Sequence, residues 1–172
     1  MTETATVGRV IPRQLSEHLT EAALIDVVGL AWKRLLGASL RPKRSLGPGR
    51  FAVSAQVQLS GMESTVVVVR ATQEAASAAT VALLGLHEDE VASGDIADAF
   101  AEIVVAVGGG VRSLLAGLTK LDAPVVVQGD GLDTAIPGAR TICDATLQSA
   151  GGAVHVSLWR PRAARRLLGH RG

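Results

Sequence analysis

At 172 residues the chain has the length of one domain, and a domain of that size buries enough apolar surface to fold without disulfides or metals. Its composition, 48% hydrophobic and 19% charged, excludes an intrinsically disordered chain, and only 2% aromatic residues leave a core of Ala, Val, Leu, Ile and Gly. The net charge of +1 conceals a mildly acidic body and a basic end, because Arg160, Arg162, Arg165, Arg166 and Arg171 all fall in the last thirteen positions.

Residues 1–14 read as an N-terminal tail with no apolar leader, and no run of about 18 apolar residues follows that would span a membrane. Residues 15–36 read as a helix. Leu15, Leu19, Ala22, Ala23, Val27, Leu30 and Leu35 form an apolar stripe near the 3.6-residue period, Ser16, Glu17 and Glu21 suit its first turns, and Gly37 stops it. Residues 41–50 (RPKRSLGPGR), dense in Pro, Gly and positive charge, read as a loop, with room for a short edge strand before it. From Phe51 the period becomes two: Phe51, Val53, Ala55, Val57 and Leu59 alternate with Ser54, Gln56 and Gln58, the pattern of a half-buried strand. After a turn at residues 61–64, residues 65–71 (TVVVVRA) are β-branched enough for a central strand, and the two strands make a hairpin. Thr72 caps a helix over residues 73–84, closed by Gly85.

A second long helix is expected over residues 95–118, with Ser93 or Asp95 at its cap. Ile96, Ala99, Phe100, Ile103, Val107, Val111, Leu114 and Leu118 share the face that meets the sheet, while Asp98, Glu102, Val105, Gly109 and Arg112 follow one another by three or four on the opposite face. Gly108, Gly109 and Gly110 each weaken a helix by about 1 kcal/mol relative to alanine, which close backbone packing would compensate. Residues 124–129 read as a strand, and residues 142–148 and 153–159 as a strand pair across residues 149–152 (SAGG), ended by Pro161. Residues 160–172 are left as a basic tail. Hairpins grouped with separate long helices predict an α+β layer fold, a largely antiparallel sheet packed against two or three long helices, since a doubly wound fold would alternate β and α regularly. There is no internal repeat.

Familiar catalytic motifs are absent. No G-x-x-x-x-G-K-[ST], G-x-S-x-G or H-E-x-x-H occurs, and His18, His87, His155 and His170 are scattered. Residues 87–90 (HEDE) offer imidazole and carboxylates, yet four adjacent residues seldom converge on one ion without partners elsewhere, so no metal site is assigned there. Cys143 stands alone, which excludes an intramolecular disulfide and fits a reducing, cytoplasmic setting; its own reading is a small buried hydrophobe.

The informative stretch is residues 95–115, DIADAFAEIVVAVGGGVRSLL. It resembles the active helix of the CheX-type and CheC-type chemotaxis phosphatases, which carries E-x-x-N followed by a small-residue patch. Glu102 matches the glutamate, residues 108–110 match the patch, and Val105 stands where that family has asparagine. The resemblance extends over residues 15–159 through the order of elements and two helices that end in LLG. It implies hydrolysis of the aspartyl phosphate on a response-regulator receiver domain such as CheY, within two-component signalling. No cofactor of the chain's own is implied; the receiver brings the phosphorylated aspartate and its Mg2+. Glu102 is the docking or acidic half of the motif, and Asp98, Glu102, Val105, Gly109 and Arg112 form the implied partner surface. The resemblance also allows a homodimer.

Valine has neither donor nor acceptor, so Val105 cannot hold an attacking water in line by hydrogen bonding. Three readings therefore stand: a protein phosphatase that positions water with another polar group, a non-catalytic pseudoenzyme adaptor that docks on receivers through the same helix, and a binder of nucleic acid or acidic surfaces through Arg41, Lys43, Arg44 and the arginine tail. The last is disfavoured, because Trp32, Trp159, Phe51 and Phe100 are the only aromatic side chains besides histidine available for stacking on bases.

Overall fold

The computed structural model describes residues 18–44, 50–61, 63–115, 117, 119–130, 132 and 135–162. Its elements run α1 (Glu21–Leu36), β1 (Arg41–Pro42), β2 (Phe51–Ser60), β3 (Thr65–Thr72), α2 (Gln73–Leu84), a 3-10 turn (Glu88–Glu90), α3 (Ser93–Leu114), β4 (Lys120–Leu121), β5 (Val125–Gln128), β6 (Ala139–Gln148) and β7 (Ala153–Pro161). The seven strands form one sheet in the order β1-β6-β7-β3-β2-β4, with β5 also on β2, and every pairing is antiparallel. The α+β architecture expected from the sequence is the one observed.

All three helices share one apolar cluster with the inward residues of the strands, among them Val53, Ala55, Val57 and Leu59 of β2, Val67 and Val69 of β3, and Val154, Val156 and Leu158 of β7. β2 alternates buried positions with half-buried or exposed ones as its period of two requires. β3, flanked by β2 and β7, is buried on both faces, which is why its sequence is nearly continuous valine. Its outward row joins outward β7 residues in a second, more polar layer of Val66, Val68, Arg70, His155 and Ser157.

Helix ends follow local chemistry. Thr20 caps α1 by accepting from the Ala23 N–H at 3.2 Å, and Thr72 caps α2 by accepting from the Ala75 N–H at 3.4 Å. Each of these helices closes in Leu-Leu-Gly, with Gly37 (φ 64°) and Gly85 (φ 67°) left-handed so that their N–H groups reach back to the carbonyls of Lys33 and Val81.

Several expectations need correction. α1 begins at Glu21, because Thr20 is extended and serves as the cap; Ser16 and Glu17 lie outside the described residues. Ala22 and Leu30, counted in its apolar stripe, are exposed, since the core-facing row is Leu24, Val28, Ala31 and Trp32. A bulge between Phe51 and Val53 turns Phe51 to the other face of the sheet, where its ring lies 5.9 Å from that of His155. The short edge strand lies inside the basic loop, with Arg41 and Pro42 pairing Gln148 and Leu147. α3 runs from Ser93 to Leu114, shorter than expected at its C-terminal end: Leu115 is extended, and the chain turns so that Lys120 and Leu121 can pair with Ser60 and Leu59. Leu118 lies outside the described residues. The final strand continues through Arg160, which pairs with Glu63 at 2.7 Å, to Pro161; Arg165, Arg166 and Arg171 lie outside the described residues.

Candidate functional site

The candidate site is the outward face of α3. That helix starts where Asp95 Oδ2 accepts from the Ala92 N–H at 2.8 Å, a carboxylate placed where the helix dipole favours it. Ile96, Ala99, Phe100, Ile103, Val104, Val107 and Val111 are buried, which fixes the rotation of the helix about its own axis. The residues four, three, four and three apart on the other side must then look outward. Asp98, Glu102, Gly109 and Arg112 are exposed, and Val105 is half-buried between them. All five expected partner-surface residues thus share one stripe.

Glu102 forms no hydrogen bond or ion pair among the described residues. Neither does Asp98. A carboxylate that the fold does not use is available to an external cation. Val105, one turn away on the same side, presents only hydrocarbon there.

The three glycines do different work. A Cβ on Gly108 would lie 2.8 Å from Val57 Cγ1 and 3.0 Å from Leu121 Cδ1, and one on Gly110 would lie 2.5 Å from Val27 Cγ1. Those two glycines let α3 sit close to the sheet and to α1, the compensation expected for their low helix propensity. Gly109 has nothing within 4 Å of such a Cβ among the described residues, so their packing does not require a glycine there.

These features coincide with an independent match to a family model, "Chemotaxis phosphatase CheX", over residues 53–146. The chain belongs to the CheX family. Similar solved structures include the chemotaxis protein CheX from Vibrio vulnificus, 18% identical, with a TM-score of 0.69 over 83% of this chain and 95% of that one. CheX from Desulfovibrio desulfuricans is 20% identical, with a TM-score of 0.66 over 81% and 97%. A complex described as CheX-CheY-BeF3-Mg2+ from Borrelia burgdorferi matches at 14% identity and a TM-score of 0.60 over 82% and 97%. At these identities the likeness is one of fold. A search of curated proteins found no match.

Within this CheX-family domain the remaining candidates fall elsewhere. His87 to Glu90 form the exposed 3-10 turn and its cap, where Glu90 Oε2 accepts from the His87 N–H at 3.0 Å. Among the described residues no group of three or more His, Cys, Asp or Glu is placed to hold a metal ion, and no helix is long and apolar enough to cross a membrane. Lys43 Nζ donates to Gln148 Oε1 at 3.2 Å at the β1 edge, on a different element from α3. Cys143 is half-buried, and burial with the nearby Asp144 and Glu21 charges pushes its thiol up to about 11.

Sequence reasoning passed over a groove beside this stripe. Val27, Leu30 and Arg34 of α1 face Ala106, Gly109 and Ser113 of α3 across a groove of about 600 Å³. Leu30 is 61% exposed. The available signal was that Leu30 lies off the row set by Leu24, Val28 and Ala31, a distinction that a broad apolar stripe obscures.

Proposed function

We propose that this CheX-family domain docks on the phosphorylated receiver domain of a response regulator through the outward face of α3, with weakened phosphatase activity. The observation that carries the reading is Glu102: exposed, without an intramolecular partner among the described residues, and one turn from Val105 on the same side of the helix. A carboxylate in that position can grip a cationic side chain of the receiver, while the residue three positions on reaches toward the aspartyl phosphate. The Borrelia complex, in which a CheX is bound to CheY with BeF3 and Mg2+, supports a receiver as the partner class. Mg2+ belongs to the receiver in this reading, and a cytoplasmic setting follows from the partner.

Phosphoryl transfer from an aspartyl phosphate to water is catalysed chiefly by holding the water in line and by stabilising charge. Asp98, Glu102 and Arg112 can bind and orient the partner. The valine side chain of Val105 offers no hydrogen bond to the nucleophile, and loss of such positioning costs on the order of 10²-fold in rate. Docking is therefore retained while turnover falls, the behaviour of an adaptor or a slow phosphatase.

The test is the decay of phosphorylated receivers encoded in the same genome. Wild type is expected to accelerate decay weakly or not at all, and Val105→Asn to accelerate it by about 10-fold or more. Substituting Glu102→Ala in the Val105→Asn background should abolish the gain. Rapid decay with wild type that persists in Glu102→Ala would refute the role given to this helix face.

A further inference from the structure

We propose that the receiver-docking surface extends from α3 across the groove onto α1, with Leu30 as its apolar anchor and Arg34 as its cationic guide; this rests on the reading of α3 given above. Gly109 lines the groove and also belongs to the Glu102 stripe, so the two surfaces are continuous through one residue. A Cβ there would have nothing within 4 Å among the described residues. A glycine that weakens a helix without serving its packing keeps the α3 backbone open to something from outside.

The opposite wall has matching chemistry. Leu30 is the most exposed of the large hydrophobic residues among those described, at 61%, and it stands at the groove beside half-buried Val27. An exposed aliphatic side chain next to a flat glycine backbone makes a step into which a protruding loop or helix corner fits. Arg34 and Arg112 are exposed and form no ion pair among the described residues. Arg34 lines the groove and Arg112 belongs to the Glu102 stripe; their guanidinium groups complement an anionic partner, and a receiver carrying an aspartyl phosphate among its magnesium-binding carboxylates is one. The partner thus bridges the two helices, with its charged pocket toward Glu102, Arg112 and Arg34 and an apolar contact on Leu30.

Calorimetric titration of a receiver loaded with BeF3 and Mg2+ tests this, using wild type, Leu30→Ser, Arg34→Glu and Glu102→Ala, with thermal unfolding recorded for each. Leu30→Ser is expected to lose about ten-fold in affinity while unfolding within about 2 °C of wild type, since the side chain is outside the core and only helix propensity is lost. Arg34→Glu should weaken binding most at low salt. Loss of binding in Glu102→Ala alone, with Leu30→Ser and Arg34→Glu equal to wild type, would overturn the α1 surface and leave the receiver reading standing. Wild-type affinity in Glu102→Ala, or no binding of wild type to any encoded receiver, would overturn both. Sedimentation of the protein alone adds one more outcome: a dimer dispersed by Leu30→Ser would assign the groove to a second copy and overturn the proposal.

Discussion

Alanine substituted at each of the three consecutive helical glycines should give three different results, although the three are adjacent in one helix. Within a helix interior, Gly→Ala is worth about 1 kcal/mol in favour of the folded state. At Gly109 nothing among the described residues lies within 4 Å of the new methyl, so the whole gain is expected. At Gly108 the methyl would lie 2.8 Å from Val57 Cγ1, on a strand buried under the helix, and at Gly110 it would lie 2.5 Å from Val27 Cγ1. Overpacking of this kind costs about 1–3 kcal/mol, which offsets or exceeds the propensity gain. Gly110 should suffer more, because the overlap is closer and a β-branched valine within α1 has one favoured rotamer and cannot turn aside. The expected net changes are a gain of about 1 kcal/mol for Gly109→Ala, a loss of about 0–2 kcal/mol for Gly108→Ala, and a larger loss for Gly110→Ala. Urea unfolding at constant m-value reads all three directly. Equal effects at the three positions, or destabilisation by Gly109→Ala, would refute the claim that only the outer two glycines serve the fold.

Other consequences are equally direct. Burial pushes the His155 imidazole below its ordinary value of 6.5, with Asp144 opposing and Arg70 reinforcing the shift, so the folded state holds it neutral. The unfolded chain then takes up the proton first as pH falls below 6.5, and stability should decline from there at no more than about 1.4 kcal/mol per pH unit; urea midpoints at pH 7.5 and 5.5 should show less decline in His155→Gln, and an undiminished decline in that variant would contradict the assignment. With its thiol near 11, Cys143 should be alkylated at pH 8 on the order of a hundred-fold more slowly than in the urea-unfolded chain, and equal rates would contradict its burial. Gly152→Ala should destabilise by about 1–3 kcal/mol, since its Cβ would overlap the Thr72 Oγ1 that caps α2 and lie 3.2 Å from the Ala75 nitrogen; unchanged unfolding would show that the cap can move.

Much of the fold was legible because its strongest signals are local. The valine run of β3, the period of two in β2 and the Thr72 to Gly85 frame of α2 each carry their own punctuation, and those elements fall within a residue or so of expectation. What was not legible depends on partners distant in sequence. β4 is only Lys120–Leu121, too short for any periodicity, and exists because Ser60 and Leu59 lie beside it. The turn of Phe51 onto His155 follows from a bulge that is visible only in the register with β3. The outward stripe of α3 was readable from spacing alone, since an apolar face that strong fixes its opposite. The groove was not, because it is made by two helices distant in sequence that approach closely where Gly110 meets Val27.

The central claim, that the stripe of Glu102, Val105 and Gly109 is where a receiver meets this protein, is tested most directly by amide chemical-shift mapping on addition of a receiver loaded with BeF3 and Mg2+. The account predicts the largest changes along the outward face of α3, centred on Glu102 and Gly109. Changes confined to the outward face of the sheet or to the β5 edge, with α3 silent, would contradict it.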